Sequence, residues 1–246
     1  MPEHRFETPG PIRLEVKVAA GEVDVATVDD TQSTVTLEGG PRIVESINVR
    51  LTGDRLLIEE RRKGLMGIFS GIGEPLHVTA RVPHGSSVDV ATASSDLQLD
   101  GTFGGLELKS ASGDVRLIGE LEGDADVKTA SGHIRLPRVG GNLSVKTVSG
   151  NIAADAVDGS VSVKSVSADL SVGSLHAGEV DVHSVSGDVT LGIAPGSCVD
   201  VDAGSASGDL SSEIPLSADA PGDQDGPTVV IRVNTVSGDL RLRRAR

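Results

Sequence analysis

A five-residue motif recurs along most of the chain at nearly constant spacing. It reads S/T-x-S-G-D or a close variant, and we take its fourth position as the zero point of the repeat. That position is occupied by Ser95, Gly113, Gly132, Gly150, Ala168, Gly187, Gly208 and Gly238. The first five steps are 18 or 19 residues long, and the last two are 21 and 30. A period this steady is typical of a solenoid, in which each repeat forms one coil.

Apolar and polar residues alternate on both sides of the motif. One repeat reads G-x-V-x-V-K-S-V-S-G-D-V-x-L, as in Val180 and Val182 before Gly187 and Val189 after it. Alternation with period two indicates β-strands, so each repeat holds two short strands joined at a glycine corner. Because the copies align residue for residue, equivalent strands become parallel neighbours about 4.8 Å apart. The sequence therefore predicts an all-β fold, a single parallel β-solenoid of about 18-residue coils.

The composition fits a narrow interior and excludes several kinds of partner. The chain has no Trp, no Tyr and three Phe, so its apolar content is mainly aliphatic. Its formal net charge of −14 repels phosphate groups, which argues against a nucleic acid partner. A single cysteine, Cys198, can form neither an intramolecular disulfide nor a cysteine metal site.

The regularity of the repeat divides the chain into two regions. Residues 86–246 carry the regular repeats and include an acidic stretch at 213–227 that we interpret as an exposed loop. Residues 1–85 form an irregular N-terminal portion that caps the solenoid or supplies its first coils. Within it, LEVKVAAGEVDV at 14–25 parallels LELKSASGDVRL at 106–117, with Gly21 at the zero point.

The chain shows no pattern of export or membrane insertion. MPEHRFETPG lacks the basic start and apolar run of a signal peptide. No stretch approaches the roughly 18 apolar residues that span a bilayer. We therefore expect a cytoplasmic protein without a transmembrane segment.

Three segments resemble a known family. They are the repeated SGDV corner, the opening ETPGPIRLEVKVAAGEVDVA and the ending VNTVSGDLRLRR. All three resemble the DUF4097 family of β-strand repeat proteins in its actinobacterial form. This family is often labelled "putative adhesin" and is similar to autotransporter-head GIN domains. The resemblance covers nearly the whole chain and implies a parallel β-helix, with no catalytic residues to assign.

The corner residues are the first candidates for a site, and we interpret them as structural. The corner residues that we single out are Ser112, Gly113, Asp114, Ser186, Gly187, Asp188, Ser237, Gly238 and Asp239. The Asp column after the corners also includes Asp96, Asp169 and Asp209. Stacked carboxylates could hold a cation, but the calcium-repeat signature GGxGxDx is absent. Asp and Ser favour corners because their side chains bond nearby backbone N–H groups. We assign no metal, cofactor or catalytic residue.

A column of cations lies four residues before the corners. It comprises Lys17, Lys109, Lys128, Lys146 and Lys164, continued by His183. Such a row could bind an anionic polymer. Alternatively, it is a solvated face in which lysines and aspartates compensate one another.

One segment breaks the strand pattern. RRKGLMGIFSGIG at 61–73 places Leu65, Met66, Ile68 and Phe69 among glycines behind basic residues. Exposed apolar patches often mark contacts, so this loop could touch a protein partner or a membrane surface. Alternatively, it folds over the open end of the solenoid.

These observations favour a non-enzymatic scaffold or interaction module that binds a protein partner or self-associates. One alternative is an adhesin-like protein of the surface or envelope. Another is a carbohydrate-active β-helix enzyme, but the chain lacks the Trp and Tyr platforms that sugar clefts usually offer.

Overall fold

The computed structural model describes residues 2–61, 76–214 and 226–245. The chain divides into two compact units, Met1–Glu122 and Gly123–Arg246. The predicted interaction residues Leu65, Met66, Ile68 and Phe69 lie outside the described residues, as does most of the predicted acidic loop.

The first unit consists almost entirely of strands, which we number in chain order. Its described elements are β1 (Glu3–Glu7), β2 (Arg13–Val28), β3 (Gln32–Glu38), α1 (Pro41–Val44), β4 (Ile47–Thr52), β5 (Arg55–Glu60), β6 (His77–Pro83), β7 (Ser87–Phe103), β8 (Gly105–Lys109) and β9 (Val115–Leu121). The long strands β2 and β7 each form a whole coil, and they pair in parallel from Arg13 opposite Ser87 to Ala26 opposite Asp100. Gly21 lies opposite Ser95, as the sequence alignment predicted.

The stacking order of these coils differs from their order in the sequence. The first half of β2 pairs with β5 and the second half with β6, while β7 pairs with the other side of both halves. The coil made by β5 and β6 therefore lies outside β2, although it follows β2 in the chain. This rearrangement explains why residues 26–85 show no clean period.

Antiparallel strands close this end of the first unit. β4 pairs with β5, β3 with β6, and β1 with β3, all antiparallel. An antiparallel strand reverses the chain direction, so the parallel coil pattern does not continue beyond it. Closing a sheet edge in this way limits unwanted pairing with other chains.

An ion pair links the outermost coil to β2. The Glu15 carboxylate is 5% exposed and accepts a hydrogen bond from Arg55 Nη2 at 2.6 Å. Lys17 Nζ lies 3.2 Å from the same carboxylate. The hydrogen bond from Arg55 is the main reason that the pKa of Glu15 lies below its ordinary value. The buried carboxylate is therefore ionised and paired, as burial of a charge requires.

The second unit repeats one coil pattern with little variation. Its described strands are β10 (Ala125–Lys128), β11 (Ile134–Val139), β12 (Leu143–Lys146), β13 (Ile152–Val157), β14 (Val161–Lys164), β15 (Leu170–Leu175), β16 (Gly178–His183), β17 (Val189–Ile193), β18 (Cys198–Ser207), β19 (Leu210–Ser212), β20 (Thr228–Ser237) and β21 (Leu240–Arg244). Even-numbered strands pair with even-numbered ones and odd with odd, in parallel. The predicted all-β parallel solenoid with two short strands per coil is confirmed.

Inward side chains form continuous aliphatic ladders in this unit. One ladder consists of Val127, Val145, Val163, Val182 and Val233, all buried. Small β-branched side chains fill such a narrow interior and favour strands, which accounts for the rarity of aromatic residues.

The last coil in the sequence is not the last coil in the stack. β20 lies between β16 and β18, and β21 lies between β17 and β19. The terminal coil is therefore formed by β18 and β19. Leu240 in β21 is 5% exposed, whereas Leu210 opposite it in β19 is 52% exposed. This order places the more apolar coil in the interior and corrects the expectation that every repeat stacks on its predecessor.

Several corners leave no room for a side chain. Gly150 has φ 122°, and a Cβ added there would lie 2.1 Å from the carbonyl oxygen of Gly132 in the adjacent coil. Glycine is required here both because L-residues disfavour this φ and because the coils approach so closely.

We predict that Gly150→Ala destabilises the protein by about 2 kcal/mol or more, because the methyl group must displace backbone. Urea denaturation of the purified protein measures the change. Gly204→Ala is the matched control in the same unit, since a Cβ there would meet only Asn234 Oδ1 at 3.7 Å. Equal stability of the two variants would contradict the proposed steric role of the corner.

Candidate functional site

Five of the eight corners are held by a hydroxyl group three residues before the zero point. Thr147 Oγ1 donates to the Ser149 carbonyl at 2.9 Å, and Ser184 Oγ donates to the Ser186 carbonyl at 2.9 Å. Thr129 and Ser110 make the equivalent bond. These hydroxyl groups are therefore already engaged as donors within their own corners.

The Asp column bonds each corner to the next. Asp188 Oδ1 accepts a hydrogen bond from the Asp239 backbone N–H at 3.0 Å, and Asp169 Oδ1 accepts one from Asp188 N–H at 2.9 Å. In the first unit, Asp96 Oδ1 accepts from Asp114 N–H at 2.8 Å. These are the contacts that a structural role for the column requires.

A second polar ladder, which we did not predict, lies at another corner of the second unit. Asn142 N–H donates to Asp124 Oδ1 at 2.6 Å, and Ser160 N–H donates to Asn142 Oδ1 at 2.9 Å. The sequence signal was present, because each of these residues directly follows a glycine in the G-x-V-x-V part of the repeat.

A shallow groove runs across the coils of the second unit, along the outer side of the SGD corner. Its floor is formed by Thr147, Ser165, Ser184, Thr235 and Ser205. One wall carries Lys164, His183 and Asn234, and the other carries Val166, Val185 and Val236. All of these positions lie within the five-residue motif or directly before it, so the groove repeats one set of positions from coil to coil.

The apolar wall belongs to a row that we name the valine column: Val148, Val166, Val185 and Val236. The side chains are 52%, 50%, 51% and 55% exposed, respectively. The Val148 and Val166 carbonyls accept hydrogen bonds from the N–H groups of the next coil. Ala93 and Ala111 occupy the same position in the first unit. The corner therefore does not need a large apolar side chain there.

The opposite wall belongs to a row that we name the lysine column: Lys128, Lys146, Lys164 and His183, which lie opposite one another in successive coils. Lys128 Nζ lies 2.9 Å from Asp126, and His183 Nε2 lies 3.1 Å from Asp181. In the two middle coils the position of these acids is taken by serine. Lys146 and Lys164 accordingly form no ion pair within the described part of the chain.

The predicted column of cations is not continuous in the first unit. Lys17 lies opposite Ala91, which in turn lies opposite Lys109, so an alanine separates the two lysines. Lys17 pairs with Glu15. The gap is visible in the sequence, because the repeat with Ser95 at its zero point lies between the two lysine-bearing repeats and carries Ala91 at this position.

A surface cluster in the first unit was also not predicted. His77 Nδ1 lies 3.1 Å from Glu22 Oε2, and His77 Nε2 lies 3.0 Å from Asp24 Oδ2. Both ring nitrogens are occupied by carboxylates, so a metal ion would have to displace one of them. We assign no metal to this cluster.

Within the described residues, no helix has the length and apolar character needed to cross a bilayer.

Comparison with known families places this chain. Residues 12–243 match the family described as Toastrack DUF4097. The chain belongs to the Toastrack DUF4097 family. The match spans both units and nearly all of the coils described above, and it confirms the family expected from the SGD corners. No curated protein matches the chain.

Several solved structures resemble this Toastrack protein at 11% identity. A "putative adhesin" from Bacteroides fragilis has a TM-score of 0.47 and is matched over 98% of this chain and 96% of its own. A "putative lipid binding protein" from Parabacteroides distasonis has a TM-score of 0.32 with the same coverage. A "putative cell adhesion protein" from Clostridium sporogenes has a TM-score of 0.26, with 99% of each chain covered. None of the three is described as an enzyme, and at these values the likenesses carry no functional conclusion.

We predict that Asp169→Ala lowers the free energy of unfolding by about 0.5 to 1 kcal/mol, because it removes the side-chain acceptor of the exposed Asp188 N–H. Asp169→Asn keeps an acceptor oxygen and should remain close to wild type. Asp155→Ala, which removes an exposed carboxylate elsewhere in the same unit, is the control. Thermal denaturation with and without Ca²⁺ measures all three. If the Asn variant were as unstable as the Ala variant and Ca²⁺ stabilised only the wild type, the cation interpretation would replace ours.

Proposed function

We propose that this Toastrack protein is a non-enzymatic scaffold that binds a protein partner through the groove of its second unit. The observation that supports this most directly is the valine column. Isolated exposed apolar residues are common, but four stacked valines at a position where alanine suffices form a continuous apolar patch. Such patches mark interaction surfaces.

The energetics are those of a modest but specific contact. Burying a Val side chain fully contributes roughly 1.5 kcal/mol, so covering the exposed half of four of them contributes about 3 kcal/mol. The rest of the affinity must come from the flanking polar wall. Lys164, His183 and Asn234 supply charge and donors there.

The groove lacks the chemistry of a sugar-cleaving site. Glycoside hydrolysis usually requires a pair of carboxylates, and the groove lining in the described residues includes none. This supports a binding role over the carbohydrate-active alternative.

From the sequence, we also propose an actinobacterial subtype and a likeness to GIN domains. We propose self-association as well, and contact of residues 61–73 with a membrane surface. We likewise propose a structural role for the corner residues and a division of the chain at residue 85.

We further propose a cytoplasmic location, as the sequence led us to expect. Protease treatment of intact host cells, with fractionation and immunodetection, tests it: the protein should be protected until the cells are lysed. Cleavage on intact cells would instead favour the adhesin-like alternative.

We predict that the double variant Val166→Lys and Val185→Lys loses its binding partner, because two charges interrupt the apolar wall. Quantitative affinity capture from host extract, with wild type and variant as baits, measures the loss. Ile118→Lys is the control, since Ile118 is 42% exposed but belongs to the first unit and does not line the groove. Sedimentation velocity of each bait shows whether the partner is a second copy. If wild type and double variant captured the same proteins equally, the groove would not be the binding site.

A further inference from the structure

We propose that the occupant of the groove is an amphipathic α-helix with an acidic flank, lying along the solenoid axis. This inference rests on the proposed function and names the kind of partner segment that the groove accepts. Four properties of the described residues lead to it: the spacing of the columns, the state of the backbone, the valine column and the two unpaired lysines.

The spacing of the coils matches the pitch of a helix. Neighbouring parallel strands lie about 4.8 Å apart, and one helical turn advances about 5.4 Å. A helix along the groove therefore presents one turn to each coil and drifts by only about 2 Å between Val148 and Val236. An extended strand repeats the same side about every 6.7 Å, so its side chains leave register after one coil.

The carbonyls and most of the floor hydroxyls of the groove have little to offer an extended segment. The carbonyls of Val148, Val166 and Val185 accept bonds from the N–H groups of the next coil. The floor hydroxyls of Thr147, Ser184 and Thr235 donate to carbonyls of their own corners. A β-strand needs backbone partners and a glycan needs many donors, whereas a helix satisfies its own backbone. The groove therefore suits an occupant that binds through side chains.

The valine column supplies the apolar contact for such an occupant. A helix with apolar residues at i, i+3 or i+4, and i+7 projects one apolar side chain per turn along a single face. The column offers one half-exposed valine per coil over four successive coils. Helix-in-groove recognition uses this kind of match.

The lysine column selects the charge of the occupant. Lys146 and Lys164 lie in adjacent coils without a carboxylate partner among the described residues, whereas the flanking Lys128 and His183 are paired. The net charge of −14 repels acidic segments elsewhere on the surface. Acidic residues one turn apart on one flank of the helix would face these two lysines, which fixes its orientation about its own axis.

The groove also defines a length. Its floor runs over five coils from Thr147 to Ser205. Four steps of about 4.8 Å give about 19 Å, which corresponds to a helix of about 13 residues.

The experiment uses the full chain and a designed fluorescent peptide of about 16 residues, long enough to cover the groove. Leu occupies one face, Glu one adjacent flank, and Ala the remaining positions. We expect saturable binding by fluorescence anisotropy at low ionic strength, with a gain of helical circular dichroism. Peptides of the same composition in scrambled order, with a central Pro, or with Lys in place of Glu should bind at least tenfold more weakly.

Variants of the protein test the orientation. Lys164→Gln should weaken binding of the acidic peptide about threefold, as loss of one exposed ion pair predicts. Arg135→Gln, which removes a charge from another face of the same unit, should leave binding unchanged. The double variant Val166→Lys and Val185→Lys should abolish binding. Unchanged thermal denaturation shows that each variant is folded.

Equal binding of the scrambled or Pro-containing peptide, or no binding of the helical peptide, overturns the helix proposal. If the valine double variant still loses its captured partner in that case, the scaffold function stands and only the helical occupant is wrong. If the double variant retains both the captured partner and the peptide, the groove itself is excluded and both proposals fail.

Discussion

In-register parallel stacking of coils is the constraint on which the rest of this structure depends. Each coil lies on the next with equivalent residues opposite one another, as in Lys146 opposite Lys164 and Val145 opposite Val163. A residue type that recurs in the sequence therefore becomes a column in space. Steric requirements also recur from coil to coil. Where one coil meets the backbone of its neighbour, as at Gly150, only glycine fits.

The local structure of a coil could be predicted from sequence because it depends on residues close together in the chain. Alternation around the SGD motif predicted two strands per coil, and Gly21, which was assigned to a zero point, lies opposite the zero point Ser95. The stacking order could not be predicted, because the period does not say which coil covers which. That order follows the burial of whole coils, which keeps Leu240 inside and leaves Leu210 outside. Both ends of the repeat series are rearranged.

The groove, too, could be predicted only in part from the sequence. Its residues were all visible in the repeat, and the lysine column was predicted as Lys17 to Lys164. The alternating pattern, however, does not determine how far a corner turns a side chain outward, so the exposure of Val166 and its neighbours was missed. The lysine column was predicted to be too long, because the prediction passed over Ala91, which separates Lys17 from Lys109.

Regular stacking also explains how an acidic protein could offer a selective cationic site. The flanking coils carry Asp126 and Asp181 where the middle coils carry Ser144 and Ser162. Among the described residues, the two lysines of the middle coils therefore have no carboxylate partner. Two such changes in a repeat are enough to create a local charge pattern without altering the backbone. Because the valine column runs parallel to these lysines at the same spacing, one apolar row and one short cationic row face any occupant together. Shape and charge then select the same kind of partner, a rod with an apolar face and an acidic flank.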